Sequence, residues 1–308
     1  MTKEQKQQYD VAIIGGGPAG YAAALYCARS SFSVLVLEKL SPGGQMATTG
    51  QVDNYPGFDE GVDGFELAEK MQRGAERFGA ETAFAEVLSL DLKAQPKKII
   101  TTDGEILARA VILATGASPR ELGLAGESQL RGRGVAYCAT CDGMMYKDKT
   151  VIVSGGGNSA VADALFLSKI CKKVYLVHRR DRLRASKVYL KALEESGVEF
   201  LWNSRIAEIL HDKRVTGAMI EELTSGETRQ VACDGIFVAI GRVPDTELFK
   251  GQVDMDGSGY LIADESTQTN LPGVYAVGDV RTKPLRQIVT AAADGAVASH
   301  FIEEFLAE

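Results

Sequence analysis

The sequence predicts an α/β protein made of two like halves, each a parallel sheet with helices laid on its faces. Three observations carry that prediction. A glycine-rich strand–turn–helix–strand block occurs at residues 9–38 and again at residues 149–178. The two copies align without a gap at a shift of 140 residues: Gly15, Gly17 and Gly20 fall on Gly155, Gly157 and Ala160, Ala24-Leu25 on Ala164-Leu165, Val34 on Val174, and Glu38 on His178. Three further apolar runs end in glycine, at Gly116, Gly241 and Gly278. Self-similarity of this length means two like domains in one chain.

Size and composition agree. At 308 residues the chain suits two domains and buries a full core without staples. Apolar residues at 45%, charged residues at 24% and 33 glycines fit a turn-rich α/β protein. A net charge of −7 with no basic stripe argues against nucleic acid as the main ligand. Five cysteines are an odd, sparse set, which disfavours a secreted disulfide framework and favours a reducing compartment. Cys27 and Cys171 fall in predicted helices and Cys233 opens a strand-like run, so all three read as small buried hydrophobes. The uncharged run from Val11 to Ala28 has membrane length, but Gly15-Gly16-Gly17-Pro18 breaks it into a short strand and a separate helix. That break, with Asp10 upstream, also argues against a signal peptide. The expectation is a cytoplasmic protein with no membrane contact.

The elements follow in order. Residues 9–14 form a short apolar strand, Gly15 to Pro18 turn the chain, and Ala19 to Arg29 are rich in helix formers. Val34 to Leu37 are apolar throughout, as in a parallel strand buried on both faces. The block at residues 149–178 repeats this order, so both are βαβ units of the doubly wound, Rossmann-like kind. Candidate boundaries fall at Ala117-Ser118-Pro119 and Val243-Pro244-Asp245, where proline follows a strand-ending glycine. One domain is then discontinuous, residues 1–118 and 245–308, and residues 119–244 form a second domain inserted into it. The tail from Arg286 to Phe305 has a helical pattern, with Ile288, Val289, Ala292, Ala296 and Val297 on one side.

In the first copy, Gly15, Gly17, Pro18, Ala19 and Gly20 make a G-x-G-x-x-G turn between a strand and a helix. Gly15 permits the tight turn, Gly17 lets a pyrophosphate approach, and Gly20 lets helix and strand pack closely. The helix start offers free N–H groups and partial positive charge to phosphate. Glu38 ends the second strand, where a carboxylate accepts from ribose hydroxyls. Spacing alone does not separate FAD from NAD here. FAD is preferred because the second copy claims the nicotinamide nucleotide and because Asp279, after Gly278, could accept from a ribitol hydroxyl.

The second copy, Gly155, Gly157, Asn158, Ser159 and Ala160, reads G-x-G-x-x-A. Its following strand leads into His178, Arg179 and Arg180, with Arg184 close behind. Fixed positive charge replaces the carboxylate of the first copy, and arginine forks match a phosphate bidentately. That is the signature of a 2′-phosphate pocket, so NADPH is favoured over NADH. A solvated basic face is the rival reading, since Lys172, Lys173, Arg182 and Lys187 lie nearby. Placement at a strand end favours phosphate recognition, with the His178 ring lining the nucleotide.

Between the copies lies Cys138-Ala139-Thr140-Cys141-Asp142. Cysteines at i and i+3 can close a small disulfide ring at a helix start, where the dipole favours thiolate. Asp142 directly follows and could move protons as the dithiol opens and closes. Zinc, the usual rival for C-x-x-C, needs about four ligands. No second C-x-x-C exists and the three histidines are scattered, so no metal is expected and redox chemistry is preferred.

These residues together resemble the low-molecular-weight thioredoxin reductases of bacteria, nearly end to end. The matching stretches are Gly15–Gly20, Gly43-Gly44-Gln45, Asn54-Tyr55-Pro56-Gly57, Ala114-Thr115-Gly116-Ala117, Cys138–Gly143, Gly155–Ala160, His178–Asp181 with Arg184-Ala185, Gly278-Asp279-Val280 and Arg286-Gln287. The resemblance implies FAD in the outer domain, NADPH in the inserted one, a homodimer, and thioredoxin as protein substrate. It implies that Glu38, Lys39 and the stretch to Gln45, with Gly278 through Gln287, line the flavin. Asn54, Val87, Ala114, Thr115, Gly116 and Ile288 join the flavin candidates, and Ile240 and Gly241 the nucleotide candidates. It further implies that Cys141 lies nearer the isoalloxazine, Cys138 attacks the partner disulfide, and Asp142 is the acid–base group. Two departures are local: Asp245 stands where the family usually has Asn, and Leu285 where some members carry Tyr.

The expected reaction is hydride transfer from NADPH to FAD, reduction of the Cys138–Cys141 disulfide, then exchange with a thioredoxin disulfide. The inserted domain would swing on its two connections to bring nicotinamide and dithiol to the flavin in turn. One alternative is a reductase serving a peroxiredoxin or a glutaredoxin-like partner. The flavoprotein of alkyl hydroperoxide reductase has a similar core but an extra N-terminal region, whereas here the first strand is expected near Tyr9. Another alternative is a non-catalytic flavin redox sensor, against which the arginine cluster argues, because a sensor needs no hydride donor.

Overall fold

A computed structural model describes residues 8–49, 51–185, 191–193 and 195–307. The chain divides into two compact units: the described residues of 1–50, 55–118 and 243–308 form the first, those of 51–54 and 119–242 the second. The short segment 51–54 groups with the second unit, which nothing in the sequence signals.

The first unit opens with β1 (Gln8–Ile14), α1 (Pro18–Arg29), β2 (Val34–Glu38), α2 (Gly64–Glu76) and β3 (Glu81–Phe84). It continues with β4 (Val87–Asp91), β5 (Lys97–Thr101) and β6 (Gly104–Leu113). The chain crosses out through β7 (Ala117–Pro119). The second unit holds β8 (Val135–Ala136), α3 (Ala139–Asp142), β9 (Thr150–Gly155), α4 (Asn158–Ser168), β10 (Lys173–Val177) and β11 (Glu199–Leu201). It ends with β12 (Ser204–His211), β13 (Val215–Glu222), β14 (Thr228–Ala232) and β15 (Gly235–Ala239). The chain returns through β16 (Arg242–Pro244), which pairs with β7, and finishes with β17 (Val274–Ala276) and α5 (Ile288–Ala307).

Each unit is built on a parallel sheet. In the first, β3, β2, β1 and β6 lie side by side, and β17 pairs in parallel with the second half of β6. The antiparallel strands β5 and β4 extend from the first half of β6. In the second, β11, β10, β9, β15 and β8 are parallel throughout, and β12–β13–β14 make a separate antiparallel sheet. The gapless sequence shift reappears as strand register: Val11 pairs with Val34, and Val151 pairs with Val174. The chain is therefore α/β, with two Rossmann-type folds.

A period of two sorts the central strands into two cores. In the first unit Val11, Ile13, Val34, Val36, Ala110 and Ile112 face the cluster that includes α1 and α5 residues. Their neighbours Ala12, Ile14, Leu35, Leu37, Val111 and Leu113 face the other core. The second unit repeats this, with Val151, Val153 and Leu176 on the α4 side and Ile152, Val177 and Val238 toward the antiparallel sheet. Burial on both faces is why these strands read as continuous apolar runs, and each fully buried Val, Ile or Leu contributes roughly 1.5–3 kcal/mol.

The final helix departs from expectation. Its buried side is Ala291, Asp294, Gly295, Ala298, Ser299 and Ile302, whereas Val289 on the expected apolar side is 43% exposed. Small residues decide the matter. A Cβ on Gly295 would lie 2.6 Å from the Ala23 backbone nitrogen and would overlap the Ala19 carbonyl oxygen. The helix thus rests on α1 backbone to backbone, and close approach selects small side chains over large apolar ones. Cys171 also differs slightly, lying beyond the end of α4 at Ser168.

Gly295→Val is expected to lower stability by about 1–3 kcal/mol through overpacking. The check is the urea unfolding midpoint; a midpoint equal to the parent's would contradict the α1–α5 approach.

Candidate active site

The first glycine turn is closed by backbone. Gly15 has φ +108, which favours glycine, and a Cβ there would sit 2.5 Å from the Ala114 carbonyl oxygen. A Cβ on Gly20 would overlap the Gly15 carbonyl oxygen, so α1 packs directly on the turn. At Gly17 a Cβ would meet nothing within 4 Å. Gly17 is also the N-cap of α1, makes no side-chain cap, and is followed by Pro18. An uncapped helix start beside open space is a fitting cradle for a pyrophosphate.

Other expected residues gather here. Glu38, at the end of β2, accepts from Gly16 N–H at 2.8 Å and Leu40 N–H at 3.1 Å, which fixes its carboxylate beside the turn. Gly43 N–H donates to the Gly16 carbonyl at 2.7 Å, and Gly44 faces the Gly17 Cα. Gln45 donates to the Ala117 carbonyl, and Thr115 Oγ1 donates to the Asp245 carbonyl at 2.6 Å. Gly278 lies against Ala19, where a Cβ would meet the alanine methyl at 2.9 Å. Arg286 donates to the Asp279 carbonyl at 3.2 Å and stacks 4.0 Å from the Tyr260 ring centre; Gln287 and Ile288 lead into α5. Lys39 turns elsewhere, pairing with Glu86 at 2.7 Å on the surface, and Val87 begins β4. Asn54 belongs with the second unit and donates to the Thr140 carbonyl at 3.5 Å. Asp245, the departure from the family pattern, accepts from Ser118 Oγ at 3.1 Å, and burial raises its carboxyl pKa.

Sequence reading missed a buried charge cluster under this site. Asp294 accepts from Gly278 N–H at 2.8 Å, Arg281 at 2.9 and 3.0 Å, and Lys283 at 2.7 Å. It thereby ties the Gly278 turn to α5. Despite its burial, these donors hold the Asp294 carboxyl below the usual range. One signal was present: a lone acid inside the small-residue run Ala291-Ala292-Ala293-Asp294-Gly295.

The second turn repeats the first with one adjustment. Gly155 has φ +155, and a Cβ there would lie 2.7 Å from the Ala160 methyl. Ala160 takes the place that Gly20 holds in the first copy, its methyl lying against Gly155. Gly157 again meets open space and again caps its helix without a side chain, so this cradle fits a second pyrophosphate. Asn158 and Ser159 are exposed at the α4 start, and Ile240 and Gly241 follow β15. His178 is buried against Gly156, and among the described residues its Nε2 has no hydrogen-bond partner. Burial, helped by the nearby arginines, lowers its pKa below the usual imidazole value. Arg179, Arg180 and Arg184 are exposed, and none forms an ion pair among the described residues. Exposed guanidinium groups on a loop beside the cradle fit a nucleotide carrying an extra phosphate.

Cys138 and Cys141 are joined by a disulfide, with their Cα atoms 5.3 Å apart. Cys138 is the N-cap of α3, which spans only Ala139–Asp142. A single turn carries little dipole, and Asp142 opposes it, so the expected dipole aid to a thiolate is small. What holds the dithiol is packing: a Cβ on Gly143 would lie 2.8 Å from the Phe166 ring of α4. One helix therefore bears the second cradle at its start and the dithiol turn along its side. Burial raises the Asp142 carboxyl to about 6. Cys27 and Cys233 are buried, as expected, whereas Cys171 is only half-buried; burial pushes Cys27 and Cys233 up to about 12 and Cys171 up to about 11. No His, Cys, Asp or Glu cluster among the described residues could hold a metal, and no described helix is long and apolar enough to cross a membrane.

Residues 9–295 match the family described as pyridine nucleotide-disulphide oxidoreductase. The chain is 45% identical to the thioredoxin reductase of Listeria monocytogenes, covering 100% of this chain and 97% of that protein. It is 47% identical to the thioredoxin reductase of Streptomyces clavuligerus, covering 97% and 94% respectively. Among solved structures, the thioredoxin reductase of Streptococcus pyogenes superposes with a TM-score of 0.89 at 42% identity, covering 98% of this chain and 99% of that one. The enzyme of Giardia duodenalis gives a TM-score of 0.90 at 37% identity, over 98% and 100%.

Asp142 has a stability consequence. Its folded pKa lies above the value of 3.8 for a free carboxyl, so the folded protein holds the extra proton between about pH 4 and 6. Stability falls as pH rises through that window, by a total on the order of 3 kcal/mol. Asp142→Asn should remove this slope and gain on the parent from pH 4 to pH 7 in urea unfolding; an unchanged slope would contradict the buried carboxyl.

Proposed function

We propose that the chain, which belongs to the pyridine nucleotide-disulphide oxidoreductase family, is an FAD-dependent, NADPH-dependent thioredoxin reductase. The carrying observation is the Cys138–Cys141 disulfide packed on the helix that starts at the second glycine cradle. Near full-length identity of 45–47% to curated thioredoxin reductases supports the same reading.

The residues divide by task. Gly15, Gly17, Ala19, Glu38, Gly43 to Gln45 and Gly278 to Gln287 would hold FAD, with the Asp294 cluster fixing the Gly278 turn beneath them. Gly155, Gly157 and the arginines of the loop after β10 would hold NADPH, their charge answering a 2′-phosphate. When bound, the two cofactors supply a hydride and pass its electron pair to sulfur.

The chain's own part begins there. The electron pair opens the Cys138–Cys141 bond, leaving one sulfur as thiolate and the other as thiol once a proton is taken up. Asp142 is the buried carboxyl beside that pair, and a pKa near 6 lets it give and take this proton near neutrality. The Cys138 thiolate attacks one sulfur of the thioredoxin disulfide and the other leaves as thiolate. Cys141 then attacks Cys138 in the mixed disulfide, which re-forms the internal bond and releases dithiol thioredoxin. A second proton, taken from water, completes the thioredoxin dithiol, so that atoms, charge and electrons balance.

The same reading makes the enzyme a cytoplasmic homodimer whose discontinuous outer domain, residues 1–118 and 245–308, carries FAD, and whose inserted domain, 119–244, carries NADPH. Its supports are the kinship with bacterial thioredoxin reductases, the acidic balance and the sparse cysteine use.

The deciding assay follows NADPH oxidation by the purified protein with thioredoxin, with a peroxiredoxin, and with no acceptor. Rapid turnover is expected with thioredoxin alone, and Cys138→Ser should reduce it to background while NADPH still bleaches the bound flavin. Turnover in Cys138→Ser equal to the parent's would defeat the dithiol role.

A further inference from the structure

The loop from His178 to Arg184 carries the phosphate-reading arginines, and its backbone is stitched down at three places. At its far end Arg184 N–H donates to the Gly156 carbonyl at 2.8 Å. At its near end the His178 ring lies on Gly156, where any Cβ would overlap it. The third place is the turn after β11, residues 201–204. There His178 N–H donates to the Leu201 carbonyl at 3.0 Å, Ser204 N–H to the His178 carbonyl at 2.9 Å, and Asn203 N–H to the Arg180 carbonyl at 3.2 Å. Asn203 takes φ +48, in the left-handed region, which turns its N–H toward the loop. Trp202 lies edge-on to His178 at 6.5 Å and is itself stacked on Phe200 at 4.7 Å and 8°.

We propose that Asn203, with Trp202 beside it, is the positioning residue that sets this chain's preference for a 2′-phosphorylated adenine nucleotide. The inference rests on reading the second cradle as the NADPH site. Asn203 meets no phosphate; it fixes the peptide of Arg180, and so the direction in which Arg179 and Arg180 present their forks. Bidentate recognition tolerates little misplacement, so a small shift of that peptide weakens the phosphate contact first. The glycine cradle meets the loop through separate contacts, the Gly156 carbonyl taking the Arg184 N–H and the Gly156 Cα lying against the His178 ring, and keeps its hold on the rest of the nucleotide. Asparagine tolerates left-handed backbone, whereas a β-branched residue there is a true outlier.

The test uses 2′,5′-ADP and 5′-AMP, two redox-inert nucleotides differing by the phosphate in question, titrated into the holoprotein. Binding is read by calorimetry and by the emission of Trp202, the only tryptophan in the chain. Asn203→Val should weaken 2′,5′-ADP by about tenfold, the left-handed penalty expressed as affinity, with 5′-AMP unchanged. Asn203→Gly, unstrained at this φ, should keep the parental ratio. A valine variant that keeps the ratio, or loses both ligands equally, overturns the proposal, since equal loss marks a merely structural role. If the valine variant does not fold, the parent decides: Trp202 emission should respond to saturating 2′,5′-ADP more than to 5′-AMP, and an equal or absent response overturns the proposal. A parent that binds the two nucleotides equally sinks the NADPH reading itself, and this inference with it.

Discussion

Backbone meeting backbone at two glycine turns is the constraint on which the rest of the molecule depends. At Gly20 and at Gly155 a single added carbon would collide with main-chain oxygen, and the space withheld from side chains is what lets a helix start face a phosphate. Duplication then does the remainder. Val11 beside Val34 and Val151 beside Val174 set two strand ends at matching places, and what stands at those ends decides the ligand. Glu38 hydrogen-bonds its own turn, where its carboxylate would answer ribose hydroxyls; His178 leads into a loop of cations. A single geometry would thus serve two nucleotides, with a carboxylate ending one strand and guanidinium groups following the other.

The helix after the second turn is the structural link to sulfur chemistry. Asn158 begins it at the cradle, and Phe166, two turns on, receives Gly143 of the dithiol segment. The redox pair therefore does not rely on its own four-residue helix for placement. Burial beside it raises Asp142 toward neutrality, where a carboxyl can both release and accept a proton. Burial raises the other three thiols, Cys27 and Cys233 most, which disfavours thiolate at each of them.

Much of this was legible in the sequence, because apolar runs buried on both faces and glycine spacing are local signals. The turn–helix–strand blocks, the dithiol and the arginine loop all declare themselves within a few residues of chain. What escaped depends on tertiary approach. The buried side of α5 is made of Ala, Gly, Ser and one Asp, so its apolar pattern pointed the wrong way. Asp294 serves Gly278 and Arg281 only because α5 lies against α1, and no spacing rule reports that. Asn203 supports Arg180 only because β10 and β11 lie side by side.

The central claim is that reducing power entering at the second cradle leaves through Cys138 and Cys141. The most direct measurement is an anaerobic NADPH titration of the holoprotein, with flavin colour and site-by-site thiol alkylation followed together. The account predicts that Cys138 and Cys141 become alkylated together as NADPH is added, while Cys27 and Cys233 stay unlabelled. Loss of flavin colour with the Cys138–Cys141 bond intact at every NADPH level would contradict it.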